Sequence, residues 1–263
     1  EILMLGAYAG FYIYYLICDP SQGGIFVIFA FILAVLTAMV ISASLGVFIE
    51  RVAYRPLRKA PRLAPLLSAI GVSIILMNLA ALFFGTKSRK FDYPFDNSTI
   101  HLGGTSITPN QIMILVVGLI MMTTLKLFID KSRLGKAMRA TSQNQAVAAL
   151  MGINVNFIIS LTFAIGSALA AVAGIMMSLE FKLYPTMGQM AGLKAFIAAV
   201  VGGIGNISGA MLGGILLGLL ETFGVVILGI PQGLKDTIAF SVLIIILLVK
   251  PSGLLIKNIR EKV

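Results

Sequence analysis

Residues 130–156 read DKSRLGKAMRATSQNQAVAALMGINVN, a polar and basic island in a chain that is 59% hydrophobic. Apolar runs flank it, Gln111 to Ile129 before and Phe157 to Leu179 after, each close to the roughly 20 helical residues that cross a bilayer's hydrocarbon. Within the island Ala146, Ala149, Leu150 and Ile153 are spaced to share one helical face. Gly135 and Gly152 bracket a helix-sized segment. That apolar face has no membrane block to join, so a short helix offered to a partner fits these residues better than a plain loop.

The blocks on either side extend the reading to the whole chain. Only 11% of the 263 residues are charged and mean hydropathy is +1.01, whereas soluble domains carry roughly 25% charged residues. Apolar blocks of this length predict helical spans, because barrel strands would be about ten residues with alternating polarity. The spans fall at Ile2 to Ile17, Ile25 to Ile49, Ala64 to Phe84, Gln111 to Ile129, Phe157 to Leu179 and Asp236 to Val249. The first is short, about 24 Å at 1.5 Å per residue. The chain opens on Glu1 without an initiator Met, so a preceding segment is expected. Gly85 to Asn110 is the longest polar connection and carries the turn signals of a small hairpin.

The net charge of +10 comes from 20 Lys and Arg against 10 acids. The cations crowd short connections, which is an orientation signal and no argument for nucleic acid. Residues 50–62 hold Arg51, Arg55, Arg58, Lys59 and Arg62. The island's edge adds Lys126, Lys131, Arg133, Lys136 and Arg139, and the tail adds Lys250, Lys257, Arg260 and Lys262. The alternate connections hold fewer. This places residues 50–62, 130–156 and the C-terminus in the cytoplasm. The basic tract 50–62 could also meet anionic lipid headgroups, though orientation alone accounts for it.

That topology puts Gly192 and Gly224 on the outer side, so residues 194–223 must enter and return. Lys194 to Val201 is too short to cross, and a re-entrant or short helical hairpin turning near Gly205 to Ser208 is expected, packed through Gly202, Gly203, Gly205, Gly209 and Gly213. Small residues also recur at spacing four at Gly214 and Gly218, and at Gly166, Ala170 and Gly174, letting helices approach closely. Lys194 and Glu221 lie equally far from the turn centre. They either pair or reach outer water separately, and the sequence leaves both open.

Several chemistries find no support. GGIGNISG at 202–209 lacks the Gly-Lys-Ser/Thr ending and the G-x-G-x-x-G spacing of nucleotide loops. One cysteine, Cys18, permits no internal disulfide, and one histidine, His101, forms no metal cluster. No carboxylate pair or nucleophile with its base is visible, so no catalytic, cofactor or metal site is expected. Asn78 and Thr123 lie mid-span, where an interhelical hydrogen bond is the expected role.

Three stretches bring a family into view: ERVAYRPLRKAPRLAPLLSAIGVSIILMN at 50–78, GKAMRATSQNQAVAALMGINVN at 135–156, and GLKAFIAAVVGGIGNISGAMLGGILLGLLE at 192–221. They resemble the permease subunits of bacterial ABC uptake systems for branched-chain amino acids, the first of the two paired permeases in particular, over nearly the whole chain. The resemblance implies an all-α polytopic inner-membrane protein, one permease domain over 1–263, with about six full spans, the hairpin at 194–223 and a cytoplasmic coupling helix. It also implies a second permease subunit, two cytoplasmic ABC ATPases, a periplasmic solute-binding protein and surrounding lipid as partners. By that match the ATPase-docking helix runs from about Thr141 to Gly152, with Arg139, Thr141, Asn144, Ala146, Ala149, Leu150 and Gly152 as its docking residues. Ala148 and Gly152 are a loose counterpart of the family's Ala-Ala-x-x-x-Gly element, whose acidic residue is absent here. The competing class is a self-sufficient channel or secondary transporter for a small neutral solute such as urea. Such carriers usually place ionisable residues deep in the membrane, and these spans hold almost none.

Overall fold

The computed structural model describes residues 1–18, 24–61, 63–91, 100–102, 105–227, 229, 231–250 and 253–254. Ten α-helices run in order: α1 (Ile2–Ile17), α2 (Gly24–Ile49), α3 (Leu63–Phe84), α4 (Pro109–Lys131), α5 (Arg133–Gln143), α6 (Gln145–Leu150), α7 (Val155–Glu180), α8 (Met187–Gly202), α9 (Ile207–Ile227) and α10 (Lys235–Val249). A π-helical turn, Glu50–Tyr54, prolongs α2, and a 3-10 turn, Pro56–Lys59, follows it. Between α3 and α4, β1 (Ile100–Leu102) and β2 (Thr105–Ile107) pair antiparallel, with His101 opposite Ser106. The Gly103-Gly104 turn, the turn at 19–24 up to residue 23 and the tail beyond 254 lie outside the described residues.

Among the described residues five helices are long and apolar enough to cross a membrane: Phe26–Tyr54, Leu63–Phe84, Pro109–Lys131, Val155–Glu180 and Ile207–Ile227. The expected spans at the two ends are shorter, 16 residues in α1 and 15 in α10, or about 24 and 22 Å of helix. Conversely, the return arm of the expected hairpin is a helix of 21 residues, and its inward arm begins at Met187 rather than at 194. Gly188 and Gly192 both lie within this helix. A glycine inside a helix costs about 1 kcal/mol, too little to end one.

The described residues form two compact units, Glu1–Gly188 and Gln189–Val263. In the first, α1, α2 and α7 enclose the core, with Met4, Ala7, Tyr8, Ala30, Ala34, Ala38, Ala171 and Ile175 buried. Small residues make this possible. A Cβ on Gly6 would lie 2.6 Å from Ala171, and one on Gly46 would strike Ser167 Oγ, so these helix backbones approach as membrane helices do at small-residue seams. Aromatic rings close one end. Phe91 is fully buried among Phe11, Tyr14 and Phe31, Arg89 lies over the Phe11 and Tyr12 rings, and the backbone of Arg89 pairs with Leu183.

In the second unit, α8 and α9 form a tight hairpin and α10 packs on α9. The chain turns at residues 203–206, slightly earlier than expected, with Gly203 and Gly205 at φ +107° and +93°. L side chains rarely adopt that conformation. Cβ atoms on Gly202, Gly209 or Gly213 would collide with backbone carbonyls of the facing helix. Among the described residues Gly166 and Gly218 meet nothing within 4 Å, whereas a Cβ on Gly174 would strike the Leu3 carbonyl.

Candidate functional site

The polar island forms two short helices, each started by its own side-chain cap. Ser132 precedes α5 and accepts a hydrogen bond from Gly135 N–H at 2.8 Å. Asn144 precedes α6 and accepts from Ala146 and Val147 N–H at 3.0 and 3.1 Å. Such caps satisfy amides that have no partner within the helix. At the far end Gly152 takes φ +80°, which glycine tolerates without strain, and Asn154 caps α7 through Phe157 N–H at 3.1 Å. Caps at Ser132, Asn144 and Asn154 therefore fix three helix starts in succession.

α5 is fastened to the end of α4. Arg139 donates to the Ile129 carbonyl oxygen and lies 3.5 Å from Asp130 Oδ1. A guanidinium suits this place because the last carbonyls of a helix lack partners and carry partial negative charge. Gly135 sits so close to Ile129 that any Cβ would collide with its carbonyl. Thr141 is buried, and its Oγ1 has no hydrogen-bond partner among the described residues.

α6 turns one residue inward and the others out. Ala148 is buried, whereas Leu150 is 87% exposed, Met151 78% and Val147 52%. Ala146, Ala149 and Gly152 are exposed as well, and Ile153 is half-buried. The most exposed apolar side chains are thus Val147, Leu150 and Met151, spaced i, i+3 and i+4 on one face. Of the expected face Ala146, Ala149, Leu150 and Ile153, the first three are exposed, and Val147 and Met151 are exposed beside them. Lys131, Arg133, Lys136 and Arg139 are exposed on the same short segment.

A second polar site lies where α2 ends. Glu50 is fully buried. Arg58 Nη2 donates to its Oε1, and Ser160 Oγ donates to its Oε2 at 2.6 Å. Arg58 Nη1 also donates to Asn156 Oδ1 at 2.6 Å. One cation of the basic tract is therefore turned inward onto a carboxylate, while Arg51 and Arg55 are exposed. Nothing beside Glu50 in the chain marks it as buried, since its partner Ser160 is 110 residues away.

In the second unit Lys194 and Glu221 meet, Nζ donating to Oε2 at 3.0 Å. Two groups not foreseen join them. Asp236 Oδ1 lies 2.8 Å from Lys194 Nζ, and Lys235 Nζ lies 3.6 Å from Glu221 Oε2. Asn78 and Thr123, expected to bond between helices, instead donate to carbonyls of their own helix, Ile74 and Leu119, each at 2.8 Å. A mid-span polar group can always turn back on its own helix in this way. Among the described residues no group of His, Cys, Asp and Glu side chains could hold a metal ion.

Comparison with known proteins places these features in a family. The family model described as "Branched-chain amino acid transport system / permease component" matches residues 1–247. The chain is 43% identical to the high-affinity branched-chain amino acid transport system permease protein BraD of Pseudomonas aeruginosa, over all of this chain and 86% of that protein. It is 40% identical to the permease protein LivH of Escherichia coli, with the same coverage. A more distant relative, at 31% over 48% of this chain and 37% of its own length, is the autoinducer 2 import system permease protein LsrC of Yersinia enterocolitica. No solved structure matches.

Proposed function

Since the chain belongs to the branched-chain amino acid transport system permease family, we propose that it carries leucine, isoleucine and valine inward across the bacterial inner membrane as one subunit of an ATP-driven importer. Its partners are a second permease subunit, two cytoplasmic ABC ATPases that hydrolyse the ATP, and a periplasmic binding protein that delivers the solute. Both units of the chain act as one permease domain. The C-terminus is cytoplasmic, as the Lys and Arg distribution requires.

The observation that carries the coupling role is the exposed face of Val147, Leu150 and Met151 on α6, held by capped helix starts on both sides. Apolar side chains this bare outside a membrane block mark a docking surface. Arg139 and Thr141 set the α5 end of that surface, Asn144 starts α6, Ala146, Ala149 and Leu150 touch the ATPase, and Gly152 lets the chain turn into α7. A small helix seated in an ATPase cleft turns closure of the ATPases into displacement of α5 and α6. The attached spans then change which side the solute path faces.

Ion-driven carriers usually place ionisable residues deep in the membrane, and the expected spans hold almost none. This weighs against the channel or secondary-transporter reading. Reconstitution of the chain with its ATPase and second permease in proteoliposomes is the test. Uptake of leucine, isoleucine and valine is expected only with internal ATP and binding protein. Uptake by this chain alone, driven by an ion gradient, would overturn the reading. Leu150→Glu is expected to leave the protein assembled in the membrane while abolishing transport; unchanged coupling of hydrolysis to uptake would remove the docking assignment.

A further inference from the structure

We propose that Glu50 and Arg58 are positioning residues for transport, forming a clasp that hands displacement of the α5–α6 segment to α2. The proposal rests on the docking reading of that segment. It starts from a stripe on α7. Asn156, Ser160, Phe163 and Ser167 are spaced i, i+4, i+7 and i+11, which is one helical face. Each meets the end of α2 or the turns that follow it. Asn156 accepts from Arg58, Ser160 donates to Glu50, the Phe163 ring lies 5.3 Å from the Tyr54 ring, and Ser167 lies against Gly46.

The polar end of this stripe is built to transmit force. Asn156 is in the first turn of α7, directly after the Gly152 and Asn154 junction that ends the docking segment. Arg58 grips Asn156 with one nitrogen and Glu50 with another, so a single guanidinium ties α7 to α2. Glu50 closes the ring through its second oxygen and Ser160. A planar fork with several donors can hold two partners in fixed geometry, as an ammonium cannot. The carboxylate is fully buried, so releasing Arg58 leaves a charge without compensation and releasing Ser160 leaves an oxygen without its hydrogen bond. The clasp must therefore move as a unit or stay closed.

The backbone at the clasp supplies the element that can shift. Glu50 begins a π-helical turn, Glu50–Tyr54, at the end of an otherwise α-helical span. Single π turns inside helices are rare and concentrate at functional sites. Tension on Arg58 is delivered to this turn, whose hydrogen bonds have a nearby α-helical alternative. The α2 span then rotates or slides along the α7 stripe.

The experiment uses the whole transporter in proteoliposomes and reads solute taken up per ATP hydrolysed, together with assembly and thermal stability. Glu50→Gln, Ser160→Ala and Asn156→Ala are each expected to lower uptake per ATP, by about tenfold where a hydrogen bond to the carboxylate is lost. A double variant, Glu50→Met with Arg58→Met, separates positioning from mere stability. Replacing a buried ion pair by apolar residues of similar size is often neutral for stability, so this variant is expected to assemble normally and remain poorly coupled. Wild-type uptake per ATP in the double variant would overturn the clasp while leaving the docking reading intact. A wild-type complex without ATP-driven uptake would sink the docking reading and the clasp together. Should the double variant fail to assemble, Asn156→Ala decides alone, because its partner Arg58 keeps Glu50; full coupling there also overturns the clasp.

Discussion

Glu50 and Glu221 are both buried carboxylates, yet the chain holds them in different ways. Among the described residues Glu50 has one cation, and both of its oxygens are satisfied, by Arg58 and Ser160. Glu221 has two cations nearby, Lys194 and Lys235, a second carboxylate at Asp236 competing for Lys194, and one oxygen, Oε1, without a partner. The first arrangement draws on the end of α2, the 3-10 turn and α7, and has nothing in reserve. The second draws on α8, α9 and the start of α10, and has a spare cation. A site with one partner per atom suits transmission of movement, whereas a redundant one suits holding helices together.

Removing a cation from each site tests that contrast most directly. Arg58→Ala strands a fully buried carboxylate and is expected to cost about 3–5 kcal/mol, read as a lowered unfolding temperature in detergent. In the redundant site the comparable loss should need two changes. Lys194→Ala with Lys235→Ala is expected to approach the Arg58→Ala effect. Lys194→Ala alone should cost roughly 1 kcal/mol, because the site is a third exposed at Lys194 and Lys235 remains. A single Lys194→Ala as damaging as Arg58→Ala would erase the distinction. Between these sizes lies Ser160→Ala, which removes one hydrogen bond to a charged group and is expected to cost about 1.5–3 kcal/mol by the same melt. The smallest effect belongs to Leu150→Glu, within about 0.5 kcal/mol, since an exposed side chain away from packing has little influence on folding. Its large effect should fall on coupling, and a large loss of stability would show that α6 is part of the core.

Much of this architecture can be read from residues alone. The apolar blocks mark the spans, Gly85 to Asn110 carries a hairpin, and the island at 130–156 is set apart by its polarity and its glycines. What escaped the sequence depends on contacts between distant segments. Glu50 precedes five cations in the sequence, and its contacts with Arg58 and with Ser160 on α7 belong to a buried carboxylate. A six-residue helix gives fewer than two turns of pattern, so the expected face of Ala146, Ala149, Leu150 and Ile153 left out Val147 and Met151, which are exposed beside it. Gly6, Gly10 and Gly46 passed without notice, although each lies against another helix. Glycine spacing within one helix says nothing about whether a second helix arrives, as Gly166 and Gly218 show from the other side.

The π turn at Glu50–Tyr54 makes this stretch sensitive to its length as well as to its composition. Each residue of an α-helix advances the chain by about 100°, so deleting Ala53 and letting the turn relax to α would swing Arg58 off toward a different flank. No point change could repair that, because the fault would lie in phase. Among permeases built this way, a one-residue gap or insertion between the positions of Glu50 and Arg58 should be rarer than almost any replacement there.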